Sequence, residues 1–311
     1  MISLRTLPFI VSLVVSSVTA GINKSSESPC DEPKVTYWFS FGDSYTTTGF
    51  TWNSTLPNIG NPLGNPAFPG VTGGGGENYV GFDTVTYNKS LILSYDYGVG
   101  GAVIDPTLVA PITLALPDEI TQFLEGAAKK PEDLALDDVW IGINDLGNTF
   151  YLNGSRSAFS DLLLERYFAQ VQQLDCSRSL AMFDLVLSAT LAEETSSSST
   201  YRLPIGPLWC IIGFFPTQLD LLKTVIEGFN SKLATKVKAF QAQNHGVTTW
   251  VWDAYTAFNI ILESPQKYGF VDNSSYGEPG DFWANTYHPS SPAHLIFAKE
   301  INQLLTGTPW F

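Results

Sequence analysis

An apolar, aromatic run from Val35 to Phe41 breaks off at Gly42, and an Asp-Ser pair follows. A short continuous apolar run bounded by glycine predicts a strand buried on both faces. Asp138–Gly142 and Thr248–Trp252 are two further short strand candidates, the second ending at Asp253. Elsewhere the spacing changes to the helical period. Leu163, Tyr167, Val171 and Leu174 share one face over residues 157–174, and Leu222, Ile226, Phe229, Leu233, Val237 and Phe240 share one face over residues 217–244. Gly246 supplies a stop after the longer helix, and Pro292–Leu305 predicts a last one. Strands that alternate with helices predict a parallel sheet covered on both faces, a three-layer α/β/α sandwich. In such folds functional groups gather beyond the carboxyl ends of the strands.

Two stretches depart from this alternation. Residues 58–76 are rich in Gly, Pro and Asn and predict a long loop soon after the Asp-Ser pair. Loops so placed shape access to a site. Residues 175–216 are atypical: apolar runs at Leu180–Leu191 and Leu208–Phe215 flank a serine cluster that reads as loop. Either run fits a strand, and an insertion or an error in the translated gene would each explain the segment.

The first 20 residues read as a secretory signal. Arg5 is their lone charge, an apolar run spans Leu7 to Val15, and Val18-Thr19-Ala20 places small residues at a cleavage site. The run is too short to span a bilayer. Residues 21–34 read as a short linker and residues 35–311 as a single domain. The net charge is −14, and removing Arg5 with the signal makes it −15. That acidity argues against nucleic acid or an anionic membrane as partner. Asn-x-Ser/Thr sequons at Asn23, Asn53, Asn88, Asn153 and Asn273, together with a signal, predict an extracellular glycoprotein. Cys30, Cys176 and Cys210 leave at least one thiol unpaired and allow one disulfide, its pairing open, and none of their spacings suggests zinc. No metal or cofactor is expected, and a monomer is.

Candidate chemistry sits at the ends of the strands. Ser44, just past the first, can act as a nucleophile if a base takes its proton; alone, Asp-Ser after a strand reads equally well as a helix N-cap. Among three histidines, His288 stands before Pro289, His245 follows the long helix as a surface group, and His294 lies in the last helix as core or surface. Gly98-Val99-Gly100-Gly101 and Gly142-Ile143-Asn144-Asp145 lie between Ser44 and His288 and read by themselves as turns. Trp52, Tyr151, Trp283 and Tyr287 lie near these motifs and are candidates for lining a pocket, although most aromatics must be core.

In this order the four motifs resemble the GDSL (SGNH) hydrolases, whose blocks carry Ser, Gly, Asn and His. The last block, Phe282 to Ser291, is most similar to secreted fungal acetylesterases of that family. The resemblance implies a flavodoxin-like α/β/α hydrolase with Ser44 as nucleophile and His288 as base. It also implies an oxyanion hole from the Ser44 N–H, a glycine N–H and the Asn144 amide. Counting from Asp96, where the family usually has Asn, points to Gly101, with Gly100 the near alternative. Many members carry Asp three residues before the His; here that position is Asn285, with Asp281 a weaker candidate for the orienting group. An amide oxygen can accept the imidazole N–H and fix its tautomer, and a carboxylate at 285 would be expected to do the same and stabilise the imidazolium.

The leading functional expectation is therefore a secreted serine esterase acting on short acyl groups, acetyl esters of plant cell-wall oligosaccharides or other small esters. A GDSL lipase or general carboxylesterase is the enzymatic alternative. A catalytically silent secreted carbohydrate-binding protein is the alternative of another class.

Overall fold

The computed structural model describes residues 35–126, 135–176, 183–188 and 216–311. Five strands form one parallel sheet: β1 (Val35–Gly42), β2 (Leu91–Asp96), β3 (Ala135–Trp140), β4 (Phe183–Ser188) and β5 (Val247–Trp252), in the order β2-β1-β3-β4-β5. The helices are α1 (Tyr79–Val85), α2 (Leu116–Glu125), α3 (Ile143–Gly147), α4 (Arg156–Cys176), α5 (Pro216–Gln243), α6 (Ala254–Glu263) and α7 (Ser291–Leu304).

Strand alternation sends successive side chains to opposite faces, so each central strand feeds two cores. Phe39, Phe41, Ala135 and Val139 pack with residues of α2, α4 and α5, including Phe123, Leu163, Val171, Phe229 and Phe240. Trp38, Leu136 and Trp140 pack on the other face with Tyr79 and Val80 of α1, Phe258 of α6, and Phe297 and Ile301 of α7. This is the α/β/α sandwich that the alternating pattern predicts. No helix of the described residues is long and apolar enough to cross a membrane.

Boundaries shift where chemistry interrupts the pattern. The strand expected over Asp138–Gly142 instead runs from Ala135 to Trp140. Its start is hidden in the sequence because Asp137 and Asp138 sit mid-strand, both buried. Its end is early because Gly142, at φ +119°, has already turned to cap α3. In the atypical segment the first apolar run supplies the strand, β4. The serine cluster and the Leu208–Phe215 run lie outside the described residues.

Buried acids are the unusual part of this interior. Asp43, Asp83, Asp96, Glu119, Asp138 and Asp145 are each no more than 1 % exposed, and among the described residues none of them pairs with a cation. Loss of solvation disfavours the charged form. It pushes Asp43 to about 8 and Asp96, Asp138 and Asp145 to about 7, and holds Asp83 and Glu119 well above the usual carboxyl range. A carboxyl raised in the folded state contributes stability that is present below its unfolded pKa, near 4, and lost as pH rises through its folded value. The half-buried His288 and the buried His294 are lowered by desolvation and act in the opposite sense below pH 6.5. Six groups outweigh two, so the melting temperature is expected to be higher at pH 5 than at pH 8. Thermal unfolding followed by circular dichroism checks this, and a melting temperature that climbs from pH 5 to pH 8 would contradict it.

Candidate active site

The carboxyl ends of β1 and β3 set the floor of the site. Gly42 ends β1 at φ +146°, and a Cβ there would lie 2.1 Å from the carbonyl oxygen of Trp140. Only glycine lets the chain leave the sheet so close to β3. The following turn is tightly held. Thr46 and Thr47 N–H donate to Asp43 O, Tyr45 N–H donates to Asp43 Oδ1 at 3.1 Å, and Thr48 N–H donates to Asp96 Oδ2. The Asn78 amide, at the cap of α1, donates to Thr46 O at 2.6 Å. Ser44 is thus fixed by backbone, half-exposed at the edge of the sheet.

His288 arrives from a distant turn. Its Nε2 lies 2.8 Å from Ser44 Oγ, and its Nδ1 lies 3.0 Å from Asn285 Oδ1. The Asn285 oxygen also accepts the N–H groups of Tyr287 and His288, at 3.0 and 2.9 Å. An amide oxygen only accepts, so the imidazole proton belongs on Nδ1 and the Nε2 lone pair faces the serine hydroxyl. Asp281 is turned elsewhere: its Oδ2 accepts Glu278 N–H at 3.1 Å. Tyr45 and Tyr287 place their rings edge-on to the imidazole, at 5.6 and 5.1 Å between centroids, and shield it from water. Burial accordingly lowers the pKa of His288 to about 4, and the imidazole stays neutral well into the acid range.

The glycine and asparagine motifs come to the same edge. Val99 N–H donates to Gly42 O at 2.9 Å, which lays Gly100 against the serine turn. A Cβ on Gly100 would lie 3.8 Å from Ser44 Cβ, whereas one on Gly101 would run into the Ile112 side chain. Gly100 is half-exposed and Gly101 buried. Asn144, in the first turn of α3, donates one amide hydrogen to Ala102 O at 2.8 Å, and Asp145 accepts Ile104 N–H at 3.0 Å. Among the described residues, the N–H groups of Ser44, Gly100 and Gly101 donate to no protein acceptor.

Several placements differ from, or sharpen, the sequence reading. Trp283 is core rather than pocket lining, 3 % exposed with its indole N–H bonded to Asn273 O. His294 is core, and His245 is exposed. Tyr151 is 48 % exposed, and Trp52 is half-buried against Gly126. Periodicity does not find the acids that hold the loops, Asp96, Glu119 and Asp145; the visible signal is an acidic residue beside the Gly98–Gly101 motif and another within Gly142–Asp145, whereas Glu119, inside α2, gives none. It also does not find Gly73, whose Cβ position lies 2.5 Å from Ser44 O and 2.7 Å from His288 Cδ2.

The pattern of the GDSL-like lipase/acylhydrolase family matches residues 39–301, and the chain belongs to that family. It is a carboxylic ester hydrolase, which sets aside the silent carbohydrate-binding alternative. An acetylesterase of Thermothelomyces thermophilus is 32 % identical over 283 residues, covering 88 % of this chain and 89 % of the relative. A GDSL esterase/lipase of Arabidopsis thaliana is 22 % identical over 254 residues, covering 68 % of this chain and 60 % of the relative. An acetylxylan esterase of Geobacillus stearothermophilus, whose structure is solved, aligns with a TM-score of 0.46 at 16 % identity over 87 % of this chain and 94 % of its own.

The His288 ring is expected to titrate near pH 4 in ring-nitrogen NMR of the free protein, because its shift comes from desolvation. A midpoint at or above the ordinary 6.5 would contradict the buried environment.

Proposed function

We propose that the protein is a serine esterase in which Ser44 is the nucleophile, His288 the general base and Asn285 the group that orients the imidazole. The observation that carries this reading is the continuous path from Asn285 Oδ1 through His288 to Ser44 Oγ, with both gaps at hydrogen-bond length. The Ser44 proton passes to Nε2 as Oγ attacks the acyl carbonyl. Negative charge then develops on the carbonyl oxygen. The donors suited to receive it are the N–H of Ser44, that of Gly100 or the neighbouring Gly101, and the free amide hydrogen of Asn144. Gly100 is the better placed glycine, being nearer Ser44 and open to the surface. His288 returns its proton to the leaving alkoxide, and a water activated in the same way releases the acid from Ser44.

The substrate class proposed is a short acyl ester, acetyl above all, on a saccharide. The 32 % identical acetylesterase, aligned along most of both chains, supports it. A lipase or general carboxylesterase is the second reading, and one feature favours it: Ile112, 81 % exposed, lies against the Gly101 backbone and would offer apolar contact to a longer chain. We further propose a secreted monomer, released by cleavage after residue 20. Its exposed Asn53 and Asn153 are suited to glycosylation. A signal so placed leaves the domain at residues 35–311, reached through the short linker.

Ser44→Ala is expected to lower kcat/KM by about 10⁴-fold or more and to leave the melting temperature near that of the parent. Asn144→Ala, which removes one donor, is expected to cost about 10²–10³-fold in kcat. Nitrophenyl esters from acetyl to palmitoyl decide between the two substrate readings. Acetyl is expected to turn over fastest, and a maximum at long chains would reverse the assignment. Near-parental turnover in Ser44→Ala would remove the nucleophile.

A further inference from the structure

Residues 70–76 read Gly-Val-Thr-Gly-Gly-Gly-Gly. The segment runs from the serine turn to the histidine turn and touches both. Val71 N–H donates to Thr48 O at 2.7 Å, four residues past Ser44. A Cβ on Gly73 would lie 2.5 Å from Ser44 O, 2.7 Å from His288 Cδ2 and 3.1 Å from His288 Nε2. A Cβ on Gly74 would lie 2.3 Å from Pro289 O. Real Cβ atoms do not approach backbone so closely, so glycine here is what allows the strand of chain to lie on the catalytic pair. Thr72 closes the turn, accepting Gly75 N–H on its carbonyl and donating its hydroxyl to Gly76 O at 2.8 Å.

The same segment holds the third member of the site. Asn285 Nδ2 donates to Gly73 O at 3.0 Å. An amide has two unlike ends, one accepting and one donating. Only one orientation puts Oδ1 on the three donors it serves, His288 Nδ1 and the N–H groups of Tyr287 and His288. The reverse would set an NH₂ against three donors and an oxygen against the Gly73 carbonyl. A carboxylate at 285 has no good orientation: one oxygen can serve His288, and the other meets the lone pairs of Gly73 O without a proton between them.

We propose that Gly73 is a positioning residue of the active site, whose carbonyl orients Asn285 and selects an amide over a carboxylate at that position. The proposal rests on the Ser44–His288–Asn285 reading above. Sequence reasoning alone favours the opposite outcome, since an aspartate there would be the commoner partner for a histidine and would stabilise the imidazolium. The Gly73 carbonyl changes the sign: an aspartate keeps that contact only as the protonated acid, and in its ionised form it pushes the segment off the catalytic pair.

The pH profile of Asn285→Asp tests both layers separately. A new carboxylate beside the imidazole favours its charged form, so the acid limb of kcat/KM is expected to move up toward neutral. The plateau kcat above that limb is expected to fall by about tenfold or more with KM nearly unchanged, because the loss is in positioning at the transition state. An acid limb that stays in place would mean that residue 285 does not face His288, and the triad reading would fall with the proposal. A limb that moves, with a plateau equal to or above that of the parent, would leave the triad standing and overturn the role of Gly73.

Discussion

Loop N–H groups at the carboxyl edge of the sheet are held by buried carboxyl oxygens, and the site depends on it. Gly42 N–H donates to Glu119, Tyr45 to Asp43, Thr48 and Gly98 to Asp96, and Ile104 to Asp145. A loop leaving a parallel sheet has no ladder or helix to receive these donors, and a buried N–H without a partner is costly. The acids solve that problem inside the protein rather than with solvent. They fix the serine turn, the glycine loop and the start of α3 relative to one another, which is the relation the proposed oxyanion hole requires. The two oxygens of Asp96 accept from two different loops.

Among the described residues these acids are buried without a lysine or arginine partner. Each carboxyl is buried near another, as Asp43 is to Asp145 and Asp138 to Asp83. Raised pKa values are the outcome of desolvation first and like charge second. The neutral forms accept hydrogen bonds from backbone without charge at the centre of the fold. His288 fits this setting. With no carboxylate beside it and aromatic rings around it, it is kept neutral, the form that the proposed general base requires.

Much of this was legible in the sequence, and the failures have specific causes. β1 and the long helices α4 and α5 announce themselves because burial imposes a period on them. Ser44, Asn144 and His288 are visible because each sits in a short motif at an element's end. The start of β3 is hidden because two aspartates sit where apolar residues belong. Asn285 and Asp281 could not be separated by spacing. The choice is made by a turn in which the Asn285 oxygen accepts the N–H groups two and three residues on. Gly73 was invisible as more than a loop glycine, because its partner Asn285 is 212 residues away and a carbonyl leaves no mark in the side-chain code.

The glycine segment over Ser44 and His288 carries a thermal consequence. Glycine gives up more conformational freedom on ordering than any other residue, and residues 70–76 hold five of them. Their order depends on a few hydrogen bonds to the serine and histidine turns rather than on buried apolar area. Such a segment opens locally at a lower free energy than the sheet beneath it. We expect warming to loosen the Ser44–His288 contact while the five strands remain paired, so that inactivation is reversible on cooling over a range of temperature below that at which the protein unfolds.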